Sequence, residues 1–214
     1  MKVHHLFIVS EHMGFPADKL VELGFTEGSS RVHPGQGTQN RKFYFGNCYI
    51  EILWADNQDD LRSERVINSG LSDRINYRQT GFAPYGVCLE HDKQTDAFFQ
   101  DAHLYFPTYF PDDWSIAVRH DVNHKSFPWF FRLPFKERYA PNDEPVDHDN
   151  GVKEITQIVF TLNNDDYAAW SAHRYNDSIL QFESGSYPHL LLEFDGGKSQ
   201  RTEYLEELHL TLTW

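Results

Sequence analysis

Short runs of apolar residues, separated by polar ones, mark the first quarter of the chain. Val3 to Val9 is rich in β-branched and aromatic side chains, which predicts a strand. Pro16 suits the first turn of a helix, where its missing N–H needs no partner, and Gly24 suits the end of that helix. Extended chain resumes at Phe25, and strand-like runs then flank a tight Gly-Asn turn, at residues 41–45 and 48–54. The predicted order is β, α, β, β, β.

The same order of elements recurs twice, with different clarity. The middle copy is faint, with runs at 85–90, 95–100, 115–118 and 128–135. Two prolines argue against regular structure in the segment 105–111. The last copy is clearer, with runs at 155–162, 165–170, 179–183 and 189–194. Residues 205–214 alternate apolar and polar side chains as one continuous strand does.

A strand–helix–hairpin unit with one apolar sheet face cannot stand alone, so several units must pack together or curl into one sheet. We therefore expect an α+β fold in which repeated βαβββ modules form a curved, mixed or antiparallel sheet around a central cavity. The predicted layout is an N-terminal module at 1–56, a linker at 57–84, a degenerate middle module at 85–136, a linker at 137–151 and a C-terminal βαβββ-like module at 152–214. All of these pack as one unit.

Charge and cysteine usage narrow the classes of function. The formal net charge is −13, and no lysine- or arginine-rich run offsets it, which disfavours nucleic acid and anionic membranes as partners. Cys48 and Cys88 lie in apolar, strand-like runs, which predicts buried, reduced thiols without a disulfide framework. The first apolar run is too short for a signal peptide, and no segment has the length of a transmembrane helix. We expect a cytoplasmic location.

The segment from His33 to Arg41 carries the densest candidate chemistry. Gly35 and Gly37 permit a positive φ and a close approach of backbone to another group. Thr38 and Asn40 can cap turns or bind a ligand, and Arg41 can grip a carboxylate with two hydrogen bonds. The segment is therefore either a pocket wall that holds an acidic or oxygen-rich small molecule, or a structural loop whose arginine pairs with one of the many acids.

Several segments in a fixed order resemble one known family. These are the strand that begins at His5, the helix exit Leu23-Gly24-Phe25, His33-Pro-Gly-Gln-Gly-Thr-Gln-Asn-Arg41 and Tyr49-Ile-Glu-Ile-Leu53. Together they resemble the glyoxalase-like family of the vicinal-oxygen-chelate superfamily. Pro84 to Cys88 and Gly151 to Thr156 resemble later landmarks of one bacterial subgroup, so the likeness runs along most of the chain.

The resemblance implies paired βαβββ modules around a U-shaped sheet that often holds a divalent metal. Ligands come from the first and last strands of each module, which implies His5 and Glu51 here, with Glu51 also as a catalytic general base. Fe, Mn, Ni and Zn all suit such ligands. The middle unit offers Arg132 where a carboxylate would be expected, whereas the third unit offers Gln157 with Glu207 or His209. The ligand-binding residues expected beside the metal are His33, Gly35, Gly37, Thr38, Asn40, Arg41 and Trp54.

Two main hypotheses follow for function. The first is a metal-assisted lyase, isomerase or dioxygenase acting on a small oxygenated molecule, with His5 and Glu51 at the metal. The second is a metal-free protein of the same fold that binds or sequesters a small molecule in an aromatic cleft, as the resistance proteins of the superfamily do. A scaffold with a vestigial pocket is a weaker third option. Members of the superfamily often form homodimers, and no interface is legible in the sequence.

Overall fold

The computed structural model describes residues 1–136, 139–172 and 179–214. The N-terminal region forms a complete βαβββ module, as predicted. Its elements are β1 (Val3–Val9), α1 (Phe15–Glu22), β2 (Ser30–His33), β3 (Thr38–Tyr44) and β4 (Tyr49–Ala55). Pro16 lies in the first turn of α1, and Gly24 follows the helix with a φ of +86°, a conformation that glycine adopts without strain.

The middle region forms a second, complete module rather than a degenerate one. Its elements are β5 (Tyr85–Leu89), α6 (Lys93–Phe98), β6 (His103–Tyr105), β7 (Ile116–Arg119) and β8 (Trp129–Arg132). Strand β6 was missed because it has only three residues and runs directly into the proline-rich segment. Asp92 caps α6 and forms a reciprocal capping box with Thr95, which fixes where the helix begins.

These two modules share one sheet of eight strands, in the order β2-β3-β4-β1-β5-β8-β7-β6. In each half the first strand of the module lies parallel to the last, β1 beside β4 and β5 beside β8. The halves meet where β1 and β5 run antiparallel, and the central ladder pairs His5 with Cys88 and Phe7 with Gly86. A local two-fold rotation therefore relates the halves, which confirms the predicted α+β fold with a curved sheet.

The predicted linker at 57–84 forms four short helices that cover one face of this sheet. They are α2 (Gln58–Leu61), α3 (Glu64–Ser69), α4 (Leu71–Ile75) and α5 (Tyr77–Thr80). Leu61, Val66 and Leu71 are buried in the same cluster as Phe7 and Trp129 of the sheet. A fully buried side chain of this kind contributes about 1.5–3 kcal/mol, so the segment is part of a core and not a tether.

The C-terminal region forms a second sheet with a different connectivity. It comprises β9 (Ile155–Leu162), α7 (Asn164–Ser171), β10 (Leu180–Ser184), β11 (His189–Phe194), β12 (Thr202–Leu205) and β13 (Leu210–Thr213). Their order is β10-β9-β11-β13-β12, and β10 lies beside β9 and parallel to it. In the two βαβββ modules the first strand pairs instead with the fourth. The C-terminal unit therefore differs from the predicted βαβββ order, and residues 173–178, like 137 and 138 of the second predicted linker, lie outside the described residues.

The last predicted strand, residues 205–214, is also corrected. A 3-10 turn at Glu206–Leu208 interrupts it, and His209 has a left-handed φ of 47°. The chain therefore reverses there, and β12 and β13 pair with each other as a hairpin. Alternation of side chains continued across the turn in the sequence, so the period alone did not reveal it.

The two faces of the first sheet pack against different partners. On the outer face, Leu6 and Ile8 belong to one core with Ile158 and Phe160 of the second sheet. On the inner face, side chains that alternate with these, such as Phe7, pack beneath helices α2 to α5. Within the described residues, no helix is long and apolar enough to cross a membrane.

Candidate functional site

A cavity of about 200 Å³ opens on the inner face of the first sheet, with Leu71 of α4 on its wall. Side chains from both modules line it, and rings predominate. The lining residues are His4, His5, Phe7, Arg31, His33, Gln36, Tyr49, Glu51, Leu53, Leu71, Tyr109, Phe110, Ile116, Trp129, Phe131, Leu133 and Phe135. A concave, mostly apolar hollow with a few polar groups is the usual form of a small-molecule site.

His5 lies on this wall together with its neighbour His4, which the sequence had left without a role. A β-bulge shifts the register of β1 against β5 between Val3 and His5, so that adjacent residues no longer point to opposite faces. The Nδ1 atoms of His4 and His5 lie 2.8 Å apart. The His5 ring also stacks on Tyr49, with centroids 4.5 Å apart. Burial, followed by the nearby His4, lowers the pKa of His5 well below its ordinary value, so this imidazole is neutral at pH 7.

Glu51 faces the same cavity from β4. It pairs with Phe7 on one side of its strand and with Lys42 on the other. Burial raises the pKa of its carboxyl group, and the Lys42 cation and a hydrogen bond from Asn40 act against that shift. Two residues implied as metal ligands by the family resemblance, His5 and Glu51, therefore share one face and one cavity.

The end of β2 contributes His33 to the wall, and the loop that follows contributes Gln36. The Nδ1 atom of His33 lies 3.0 Å from Oγ1 of Thr38, and Nε2 of Gln36 donates to the same hydroxyl oxygen at 2.7 Å. Tyr109 donates its hydroxyl proton to Oε1 of Gln36 at 2.7 Å. Burial lowers the pKa of His33 to about 4, so the ring is neutral at pH 7. Thr38 thus positions two wall residues from behind the cavity.

The glycines of this loop have the predicted positive φ, +73° at Gly35 and +78° at Gly37. What approaches them closely is the protein itself. A Cβ atom on Gly35 would lie 2.1 Å from Oγ1 of Thr108, and one on Gly37 would lie 2.3 Å from the carbonyl oxygen of Asn57. Among the described residues, the cavity wall includes neither glycine, so we revise their expected role from ligand contact to loop packing.

Arg41 is also placed away from the cavity. Its guanidinium group forms a two-pronged bond with Glu27, at 2.7 and 2.5 Å, and reaches Asp18 at 2.7 Å. The structural alternative left open by the sequence therefore describes Arg41. Asn40 accepts a hydrogen bond from the backbone N–H of Arg31 at 2.8 Å. Trp54 lies on the other side of β4 from Leu53 and lines a separate hollow beside Ser10 and Gln58.

Arg31 is the cation that lines the cavity, and the sequence reasoning missed it. Its guanidinium carbon lies 5.0 Å from the centre of the Tyr109 ring. Within the part of the chain that the structure describes, Arg31 forms no ion pair, although acids outnumber bases by 32 to 19 in the sequence. A signal existed, because Arg31 stands two residues before His33 on a strand, and residues at that spacing share a face.

The ligands suggested from the C-terminal unit are not near this cavity. Gln157, Glu207 and His209 belong to the second sheet or its 3-10 turn, behind the outer face of the first sheet. Tyr85 donates a hydrogen bond from the first sheet to the carbonyl oxygen of His209 at 3.0 Å. A full hydrophobic core separates this side from His5 and Glu51, so the five residues cannot form one ligand set. This corrects the predicted metal site.

The second module does not supply replacements at the equivalent positions. The two-fold relation that pairs His5 with Cys88 and Phe7 with Gly86 places Gly86 where His5 stands in the first half. On the last strands, the same relation places Phe131 where Glu51 stands. Arg132, suggested for that place, pairs with Asp96 on α6 at 2.7 Å. Glycine and phenylalanine have no side-chain ligand atom, so the four-position metal site of the superfamily is half missing here.

Comparison with known proteins agrees with this architecture. A family model described as a glyoxalase-like domain matches residues 3–175. The chain belongs to the glyoxalase-like domain family. The match spans the whole first sheet of this glyoxalase-like domain and continues through β9 and α7. No curated protein gave a sequence match.

Solved structures that match this glyoxalase-like chain share little sequence with it. A hypothetical protein from Staphylococcus aureus is 12% identical with a TM-score of 0.59, covering 99% of this chain and 97% of its own. A mutant of 4-hydroxymandelate synthase from Streptomyces coelicolor is 11% identical with a TM-score of 0.45, covering 99% of this chain and 61% of its own. A fusion of a xylose isomerase-like TIM barrel with 4-hydroxyphenylpyruvate dioxygenase is 12% identical with a TM-score of 0.48, covering 91% of this chain and 36% of its own. At this identity the first likeness shows the fold alone.

Proposed function

We propose that this glyoxalase-like protein binds a small, flat carboxylate or other oxyanion in the cavity of the first sheet. The observation that carries the proposal is the pairing of an aromatic cavity with an arginine that forms no ion pair among the described residues. Phe7, Trp129 and Phe131 offer ring faces and edges, and Arg31 offers a two-pronged donor. This agrees with the metal-free binding hypothesis drawn from the sequence.

The size of the cavity limits the ligand to about one ring. A cavity of about 150 Å³ in a protein core accepts benzene. The 200 Å³ available here therefore suits one ring with a short polar substituent. Pockets for drug-sized ligands have volumes of about 300–1,000 Å³, so such ligands do not fit wholly inside this cavity.

Polar groups at one end of the cavity provide orientation. His33 and Gln36 are held by Thr38 and by the Tyr109 hydroxyl group, so they can meet ligand oxygens without first losing conformational freedom. The net charge of −13 repels anions at long range. Recognition of a carboxylate must therefore come from the local cation Arg31.

The superfamily metal does not enter this proposal, because only His5 and Glu51 of its four positions have ligand atoms. A second candidate function rests on Glu51 alone. Its buried carboxyl group has a raised pKa and faces a ligand cavity, which are properties of a general base. Proton abstraction from a bound ligand, as in an isomerase or lyase, is the reaction class that such a group supports.

Calorimetric titration with benzoate and with benzamide tests the binding function. The two compounds have similar size, and only benzoate carries a charge. We expect benzoate to bind more tightly, and Arg31→Gln to weaken benzoate about 10-fold or more while leaving benzamide unchanged, because a hydrogen bond to a charged group contributes about 1.5–3 kcal/mol.

Arg62→Gln is the matched control, since it removes the same charge from an exposed arginine outside the cavity. If Arg62→Gln weakens benzoate as much as Arg31→Gln does, the effect is long-range charge and the proposed contact is refuted. If neither compound binds, the cavity does not accept single-ring ligands and the proposal fails.

A further inference from the structure

Three ligand atoms of different residues lie close together beside the cavity, where the two modules join. One ring nitrogen each of His4 and His5 and the sulfur of Cys88 all lie within 4.8 Å of one another. His5 and Cys88 are buried, and His4 is partly buried. None of the family's metal positions except His5 belongs to this cluster.

The geometry has a simple origin in two adjacent strands. The central ladder places Cys88 on β5 directly opposite His5 on β1. The bulge at His4 then turns a second imidazole toward the same point, which a regular strand would not allow. Neighbouring rings hold these side chains, since His5 stacks on Tyr49 and His4 meets the edge of Tyr139 at 5.7 Å.

We propose that His4, His5 and Cys88 form a site for a zinc-class metal ion, with two imidazole nitrogens and one thiolate as ligands. Zn²⁺ accepts this mixture of nitrogen and sulfur donors in tetrahedral geometry, whereas Mg²⁺ and Ca²⁺ select oxygen. Binding replaces the thiol proton of Cys88 by the metal and releases that proton to solvent, and no electron is transferred. Both histidines line the cavity, so the fourth position opens toward it.

This site differs from the superfamily site in ways that can be measured. It uses a sulfur ligand, it takes two ligands from adjacent residues of β1, and it does not include Glu51. Three protein ligands with one open position is the arrangement of a metal that can accept a further ligand, not of a closed structural site. The inference stands independently of the carboxylate proposed above, because it concerns the ion alone.

Titration of the metal-free protein with Co²⁺ and Zn²⁺ tests the site. Co²⁺ bound to a thiolate gives a sulfur-to-metal charge-transfer band in the near ultraviolet, which oxygen and nitrogen ligands do not produce. We expect one equivalent of Co²⁺ to develop this band and Zn²⁺ to displace it. Cys88→Ser and His4→Ala should abolish the band or weaken metal affinity beyond the about 10–100-fold loss typical of changing a residue that merely supports a ligand.

Cys48→Ser is a close control, because Cys48 is an equally buried thiol in the core on the outer face. It should keep the band and the affinity, as should Glu51→Gln. Cys88→Ala gives a second variant if Cys88→Ser does not fold, since alanine buries no hydroxyl group.

The possible results separate cleanly. Absence of the charge-transfer band, or a band that Cys88→Ser leaves intact, would overturn the site. Metal binding lost in Glu51→Gln but kept in His4→Ala and Cys88→Ala would overturn it as well and return the metal to the family positions. Failure of benzoate to bind would leave these metal readouts unchanged, so the two proposals fail independently.

Discussion

The two halves of the eight-stranded sheet have one backbone plan and opposite chemistry. Both follow β, α, β, β, β, and both place the first strand of the module beside the last. The first half presents His5 and Glu51 to the cavity, whereas the second presents Gly86 and Phe131 at the equivalent positions. The repeat thus preserves ladder hydrogen bonds and core packing, which any β-forming residues satisfy, while chemistry depends on single side chains.

This difference gives the cavity two unlike sides. The first half contributes polar groups and the Arg31 cation. The second contributes a wall of rings, in which the ring centroids of Trp129 and Phe131 lie 4.8 Å apart. A ligand with one charged end and one flat apolar end matches such a division. If the second half carried the same residues as the first, both sides of the cavity would be polar.

Making the second half resemble the first should produce the largest effect. Phe131→Glu removes a buried ring and buries a carboxylate in a position that faces other rings. We expect the free energy of unfolding at pH 8 to fall by about 4 kcal/mol or more, measured by urea denaturation. Phe131→Leu should cost only about 1–1.5 kcal/mol. Equal costs for the two variants would contradict an apolar second half.

A pH effect should come from His33 in the first half. Its pKa is about 4 in the folded protein because it is buried, against about 6.5 when unfolded. The unfolded chain therefore takes up a proton first as the pH falls, and stability is lost between pH 6.5 and about 4. Between pH 7.5 and 4.5 we expect the native protein to lose about 2–3 kcal/mol more than His33→Gln does.

Thr38→Val is the control for this pH effect. It removes the hydrogen bond partner of His33 without removing a titrating group. The variant should be less stable at both pH values and should keep the dependence on pH. If His33→Gln shows the same loss of stability toward acid as the native protein, His33 is not the group responsible.

The close packing of the two halves should make the protein sensitive to a side chain at Gly86. A Cβ atom there would lie 2.0 Å from Cε1 of Phe7, in the ring that faces it across the central ladder. We expect Gly86→Ala to cost about 1–3 kcal/mol through overpacking. In a Phe7→Leu background most of that added cost should disappear, which a double-mutant cycle measures. Additive costs would mean that the ring moves aside freely.

The sequence predicted this fold well where strands are long and apolar. The bounds of β1 are Val3–Val9 and those of β9 are Ile155–Leu162, both as predicted, because β-branched runs decide between strand and helix locally. It missed β6 and described residues 57–84 as a linker, although four helices form there, because these elements are too short to show a period. Such elements form because the sheet offers them an apolar face, a tertiary cause that no local window contains.

The site was predicted less completely, for a similar reason. His5, His33 and Glu51 lie on the cavity wall because each stands at a fixed place on a predicted strand or in the recognised loop. His4 required a bulge and Arg31 required knowledge of which face β2 turns inward. Gln157 and His209 failed because the C-terminal unit has one strand more than a βαβββ module and a different strand pairing.

The smallest expected effect concerns the cost of keeping a carboxylate in the polar half. Burial raises the pKa of Glu51, so the folded state holds its proton to a higher pH than the unfolded state. Native stability must then fall as the pH rises from about 4.3 through the folded pKa, whereas Glu51→Gln carries no such penalty. The variant should therefore gain stability relative to the native protein between pH 4 and pH 8, measured by urea denaturation.

Lys42 opposes this effect across the ladder, so the gain should grow in a Lys42→Met background. An unchanged gain would show that Lys42 does not stabilise the carboxylate, and the polarity of the first half would then rest on Asn40 and Arg31.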